Sequence, residues 1–202
     1  MIRIYGTARS RASRSLVAAE EVGARYEHVP LIPEPNSRDR VTLLRLNPNA
    51  KIPVLEEGDF VIWESMAINL YLGERFGGPL WPTGLEARAK LYQWSLWAQT
   101  SHDVEARLRA RRGGDPDLKA KAQTERMAAL AVLEGALQGR SYLLGETFTL
   151  ADLNVATTLS EPHENGLIDG DLNPFAHDLP ALADWLERCT GRASWGKVRS
   201  LP

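Results

Sequence analysis

Apolar and polar residues alternate through Ile2–Tyr5, "IRIY", which predicts a short strand with a turn at Gly6. The period then changes. In "SRASRSLVAAEEVG" Ala12, Leu16 and Ala19 share one helical face, and Gly23 supplies the usual stop. "RYEHVPLI" reads as a second strand, and "SRDRVTLLRLNP" as a short helix with Val41 and Leu44 on one face, closed by Asn47-Pro48. After Pro53, two short apolar runs flank Glu57-Gly58-Asp59, a hairpin signal. "ESMAINLYLGERFGG" follows as a helix ended by glycines. Residues 1–77 therefore predict the order βαβαββα, with a parallel βαβ start.

"GPLWPTGLEA" is rich in Gly and Pro and has no period, so 78–85 reads as a linker. Everything beyond it, 86–202, reads as helical. A long helix is predicted over 86–112. A second, over 117–139, carries Leu130, Leu133 and Leu137, and a third, over 180–190, carries Leu182, Trp185, Leu186 and Cys189. "TFTLADLNVATTL" holds a complete helix-start signature, with Thr149 as N-cap, Asp152 three residues on, and Phe148 and Leu153 spaced as a hydrophobic staple. The expected architecture is an α/β domain over 1–77 and an all-helical domain over 86–202.

Composition narrows the function classes. A chain of 202 residues buries about 70 % of its unfolded surface, enough for one large or two small domains. The formal net charge of -2 gives no global attraction for nucleic acid or anionic lipid. No apolar run approaches the roughly 20 residues that span a bilayer. "MIRIYGTARS" lacks the apolar core and cleavage site of a secretory signal, and the single cysteine, Cys189, has no internal partner for a disulfide. The expectation is a complete chain of the cytoplasm. "RLRARR", 107–112, reads as a basic helix end suited to the helix dipole, and His163 and His177 lack metal-ligand spacing, so no metal is expected.

Two features carry candidate chemistry. Pro53 heads a predicted strand, where its missing N–H is tolerated at a start or an edge. A cis Ile52–Pro53 bond would instead turn the Ile52 backbone outward to pair with an extended peptide. Glu64-Ser65 stands where a strand gives way to a helix. It reads as a plain N-cap, or as a socket in which helix N–H groups and the Ser65 hydroxyl hold a carboxylate and Glu64 holds an ammonium. Together these features fit a small peptide, with its middle at Ile52 and its amino-acid end at Glu64 and Ser65.

In this order and spacing, "NPNAKIPVL" and "WESMAI" resemble the Asn-Pro-x-Gly-Lys-Val-Pro-x-Leu and Glu-Ser-x-Ala-Ile motifs of the cytosolic glutathione S-transferases, and the resemblance runs the whole length. It is to the bacterial, serine or theta-like type rather than the cysteine type. It implies a thioredoxin-like domain followed by a helical bundle, glutathione as cosubstrate, a small hydrophobic electrophile, and a homodimer. It also implies a cis Pro53, backbone pairing of Ile52 with the cysteinyl unit of glutathione, and Glu64 and Ser65 on the γ-glutamyl head. Ala50 for Gly and Ile52 for Val are departures that replace no ligand-touching side chain.

The thiol-activating group falls within "IYGTARSRAS". Ser10 and Thr7 rank together above Tyr5, whose ring also suits a strand core. Arg11 and Lys51 are candidate contacts for the anionic tripeptide, although arginines at a helix start commonly form a solvated face. Tyr92, Trp94, Trp97, His102 and Asp103 lie on the helix that borders the electrophile pocket in the family, but tryptophans at helical spacing are more often core than ligand wall, so none of these is a catalytic candidate. A module that has lost catalysis is the alternative from another class. Peroxidase or isomerase use of the thiolate is the alternative within enzymes, and "TARSRA" lacks the Ser-Ser-Cys motif of maleylacetoacetate isomerases.

Overall fold

The computed structural model describes residues 1–100, 116–164 and 179–202. His102, Asp103, 107–112 and His177 lie outside them, as does the His163 side chain. The described chain divides into two compact units, Met1–Trp81 with Arg192–Pro202, and Pro82–Gly191.

The first unit is a four-stranded sheet with three helices in the order βαβαββα, joined by a helix from the far end of the chain. The strands are β1 (Ile2–Tyr5), β2 (Tyr26–Val29), β3 (Val54–Glu57) and β4 (Phe60–Trp63), in spatial order β2-β1-β3-β4. β1 runs parallel to β2 and antiparallel to β3, which forms a hairpin with β4. Strand alternation sorts the side chains. Tyr5 opposite Val54 lies on one face, where both pack with Leu43 of α2 (Arg38–Leu46), while Ile4 opposite Leu55 lies on the other. Helices α1 (Ala12–Glu21) and α3 (Ser65–Phe76) pack on each other and on these strands, burying Leu16, Ile68 and Leu72.

Two local readings change. On α2 the buried position is Leu43, while Val41 and Leu44 are about half exposed. Leu43 packs with Tyr5 and Val54, and the partly buried Leu46 one turn on packs against the same cluster, so the inward face runs through 43 and 46. The segment Arg192–Pro202 packs with the first unit, whereas the sequence pattern placed it with the helices of 86–202. Periodicity reports that a helix has an apolar face but not which surface will cover it.

The second unit contains α4 (Leu85–Thr100), α5 (Pro116–Leu137), α6 (Leu150–Glu164) and α7 (Pro180–Thr190). Leu130, Leu133 and Leu137 are buried, as are Leu182, Trp185 and Cys189. The capping box at Thr149 forms, with Ala151 N–H donating to the threonine hydroxyl and Thr149 N–H to Asp152. Asp152 does more than the box requires. It also accepts from Leu143 N–H at 2.8 Å and from the Trp185 indole at 2.9 Å, tying α6 to α7. Glu134 of α5 caps α7 from a distance, accepting from Leu182 N–H at 2.8 Å.

Candidate functional site

The site grows from the ends of β1 and β3, where two loops meet over Gly6. A Cβ built on Gly6 would lie 2.7 Å from the Ala12 Cβ and 2.9 Å from the Ile52 Cβ. Its φ of +124° also disfavours any side chain. Gly6 therefore lets the start of α1 approach the Ile52–Pro53 segment backbone to side chain. Its N–H donates to the Val29 carbonyl at 2.9 Å, and its carbonyl is held by His28 Nε2 at 2.7 Å.

The Ile52–Pro53 bond is cis, and Pro53 is buried at the head of β3. The preceding loop is organised by Asn47, which the sequence reading took only as a helix stop. Asn47 is buried. Its side-chain NH2 donates to the Lys51 carbonyl at 2.8 Å, and its side-chain oxygen accepts from Asn49 N–H at 3.0 Å. An amide at a helix end before proline, with a second proline six residues beyond it, was the available signal. Ala50 sits in this loop at φ +49°, the left-handed region. The departure from glycine thus costs something after all, in the backbone rather than in ligand contact, about 1 kcal/mol. Lys51 is exposed, and its ammonium makes no ion pair with a described residue.

At the start of α3, Glu64 occupies the cap position with φ +74° and ψ 117°, and no side chain caps the helix. The plain N-cap reading of this pair is therefore not what the structure contains. Ile68 N–H closes the first turn on the Glu64 carbonyl at 2.9 Å. Ser65 is the first helical residue and is buried. Its carbonyl accepts from Ser15 of α1, while its hydroxyl has no partner among the described residues. The helix thus presents unspent donors, with a carboxylate beside them held in a sparsely populated conformation of the kind found at ligand clamps.

The three hydroxyl candidates separate. Tyr5 donates to Glu56 across the β1–β3 pairing and packs in the α2-facing core. Burial, then the bond to Glu56 and its charge, push the Tyr5 hydroxyl above its ordinary pKa, and its proton is committed to Glu56. Ser10 lies just before α1, where its Oγ accepts from Ala12 N–H at 3.1 Å and donates to the Thr7 carbonyl at 2.8 Å. Thr7 takes part through that carbonyl, which also accepts Ser10 N–H at 3.1 Å. Of the nearby arginines, Arg9 is exposed, Arg11 half-buried at the head of α1, and Arg14 buried. The Arg14 position departs from the solvated face read from the sequence. Trp94 is buried and packs edge-on to Trp97 within the second unit.

Residues 2–74 match the family model for the glutathione S-transferase N-terminal domain, and residues 96–193 match that for the C-terminal domain. The chain is 30 % identical to glutathione S-transferase 3 of Zea mays, over 100 % of its own length and 95 % of the relative's. It is 32 % identical to glutathione S-transferase theta-1 of Bos taurus, over 71 % of its length but only 63 % of that relative's. Its fold superimposes with a TM-score of 0.79 on a theta class glutathione S-transferase from Xanthomonas axonopodis pv. citri with glutathione bound. Identity there is 26 %, over 97 % of this chain and 95 % of the other.

Proposed function

Because the chain belongs to the glutathione S-transferase family, we propose that it binds glutathione on its first unit and presents the thiolate to a small hydrophobic electrophile. The uncapped start of α3, with Glu64 at positive φ beside the buried Ser65, is the observation that carries this reading. A zwitterionic γ-glutamyl head supplies what the socket lacks, a carboxylate for the helix N–H groups and the Ser65 hydroxyl, and an ammonium for Glu64. The cis Ile52–Pro53 segment offers backbone to the cysteinyl unit, and Lys51 an ammonium to the glycyl carboxylate. Arg11 adds positive charge nearby.

Ser10 is the thiol-activating residue in this reading. Lowering a thiol pKa from about 8.5 to about 6.5 requires roughly 2.7 kcal/mol. One hydrogen bond to a charged group provides about 1.5–3 kcal/mol, and a helix N-terminus adds about 0.3–1 kcal/mol. The Ser10 hydroxyl is suited to the exchange. Ala12 N–H already polarises its oxygen, and when its proton turns from the Thr7 carbonyl to sulfur, that carbonyl keeps Ser10 N–H as a donor. No buried acceptor is stranded by the change.

A second copy of the chain is the proposed partner. Each unit carries exposed large apolar side chains, Phe60, Trp63 and Phe76 on the first and Leu85, Tyr92 and Leu96 on the second. No helix among the described residues is long and apolar enough to cross a membrane.

Ultraviolet titration of bound glutathione tests the chemistry. The wild type should lower the thiol pKa, and Ser10→Ala should return it toward the free value while reducing kcat about a hundredfold. Ser65→Ala should raise the KM for glutathione about tenfold with less effect on kcat. Wild-type protein that leaves the thiol unshifted would defeat the catalytic reading, and Ser65→Ala binding as tightly as wild type would defeat the socket.

A further inference from the structure

The β1–α1 loop that carries Ser10 is gripped from the far end of the chain. Ala8 N–H donates to the Pro202 main-chain oxygen at 3.1 Å. Ala8 N–H and the Thr7 carbonyl belong to one peptide unit, which is planar and stiff. The Thr7 end of that plane holds both the N–H and the hydroxyl of Ser10. We propose that the segment Arg192–Pro202 is a positioning element for the reaction. It fixes the Thr7–Ala8 peptide plane through the Pro202 main-chain oxygen and so sets the direction in which the Ser10 hydroxyl is held. This inference rests on the glutathione reading above and assigns the segment a part in it.

The rest of the segment is built to hold that oxygen in place. Arg192 makes a two-pronged ion pair with Glu21 of α1, at 2.8 and 2.7 Å, and Ser194 adds a hydroxyl bond to the same carboxylate at 2.5 Å. The Glu21 side chain is only 8 % exposed, so this pair is less screened than a surface one. Lys197 pairs with Glu20 at 3.1 Å. The helix α8 (Ala193–Arg199) buries Trp195 and Val198, and it packs on α1. Beyond it the chain turns, with Ser200 N–H on the Lys197 carbonyl and Leu201 N–H on the Val198 carbonyl, which brings Pro202 to Ala8. The same helix, α1, is therefore tied to the segment at its last turn through Glu20 and Glu21, while the loop leading into its first turn meets Pro202. A structural clamp alone would need only the first of these.

The test compares wild type with a chain stopped after Ser200, with Pro202→Ala, which keeps the main-chain oxygen, and with Arg192→Met, which keeps Pro202 but loosens its support. Circular dichroism checks that each folds. Stopping after Ser200 should speed exchange of the Ala8 amide without any glutathione present. With glutathione it should raise the bound thiol pKa by about one unit and lower kcat about tenfold, while KM for glutathione stays within about twofold. Pro202→Ala should behave as wild type, and Arg192→Met should fall between the two. If the shortened chain matches a wild type that does lower the thiol pKa, or if its Ala8 amide exchanges no faster, the proposal is wrong and the glutathione reading stands. If wild type itself leaves the thiol unshifted, the glutathione reading fails first, and this inference with it.

Discussion

Asn47 donates to the Lys51 carbonyl at 2.8 Å from a fully enclosed position, so one side chain spans the loop that delivers the chain to the cis Ile52–Pro53 bond. Replacing it strands the Lys51 carbonyl and the Asn49 N–H together. Asn47→Ala is expected to lose about 2–3 kcal/mol in urea denaturation. It should also raise the KM for glutathione, whereas Asn47→Asp, which keeps the acceptor for Asn49 but loses the donor, should fall between.

Ala50 should tolerate glycine better than the native alanine. Its φ of +49° costs an L residue roughly 1 kcal/mol beyond what glycine would experience, and part of that is offset by the greater freedom of an unfolded glycine. Ala50→Gly is expected to raise the thermal midpoint by a few degrees with kinetics unchanged. A lower midpoint would show that the loop does not hold Ala50 in this conformation.

Tyr5→Phe separates core packing from catalysis. The variant keeps the ring against Leu43 and Val54 but removes the donor to Glu56. Stability should fall by about 1–2 kcal/mol, and the bound thiol pKa should not move. A rise in that pKa would return Tyr5 to the list of thiol activators.

Glu64→Gly should gain stability and lose binding. Glycine relieves the φ of +74°, a conformation that costs about 1–3 kcal/mol in other residues, while the carboxylate that meets the ammonium disappears. Calorimetry with glutathione should record weaker binding alongside an equal or higher unfolding temperature. Binding as tight as wild type would remove Glu64 from the socket.

Asp152 makes stability depend on pH in the less common direction. Burial pushes its carboxyl above the ordinary 3.8, partly opposed by the donors Leu143 N–H, the Trp185 indole, and Thr149 N–H and hydroxyl. The folded state therefore binds a proton more readily than the unfolded chain. This group's contribution is greatest below 3.8 and declines as pH rises through the interval above it. The difference in urea midpoint between wild type and Asp152→Asn should shrink over that interval as pH rises. Asp152→Ala, which strands every donor, should cost roughly 3–5 kcal/mol at neutral pH.

Much of the site's frame was legible because it is written in local chemistry. The period change after Tyr5, the glycines at 23 and 58, and the Thr149 to Asp152 spacing each act through neighbours a few residues away. The Glu64-Ser65 pair marked a helix start for the same reason. The capping signal did not reveal that Glu64 would take a positive φ with no side-chain cap, because that depends on how β4 and α3 are held by the sheet. Ser10 and Thr7 stayed level in the sequence, since both are hydroxyls in one turn. The closed turn pairs them with each other, the Ser10 hydroxyl and N–H on the Thr7 carbonyl.

The sequence by itself determined the element order, the cis-proline and helix-start motifs of the candidate site, and the buried leucines of α5, because period and turn chemistry act within a turn or two. The tertiary structure decided what depends on distant segments meeting. It placed Tyr5 on Glu56, Glu134 on the start of α7, and Arg192 on Glu21. It also set the Pro202 main-chain oxygen against Ala8. A hydrogen bond between residues almost two hundred positions apart leaves no trace in local periodicity, since its partners are chosen by packing rather than by spacing.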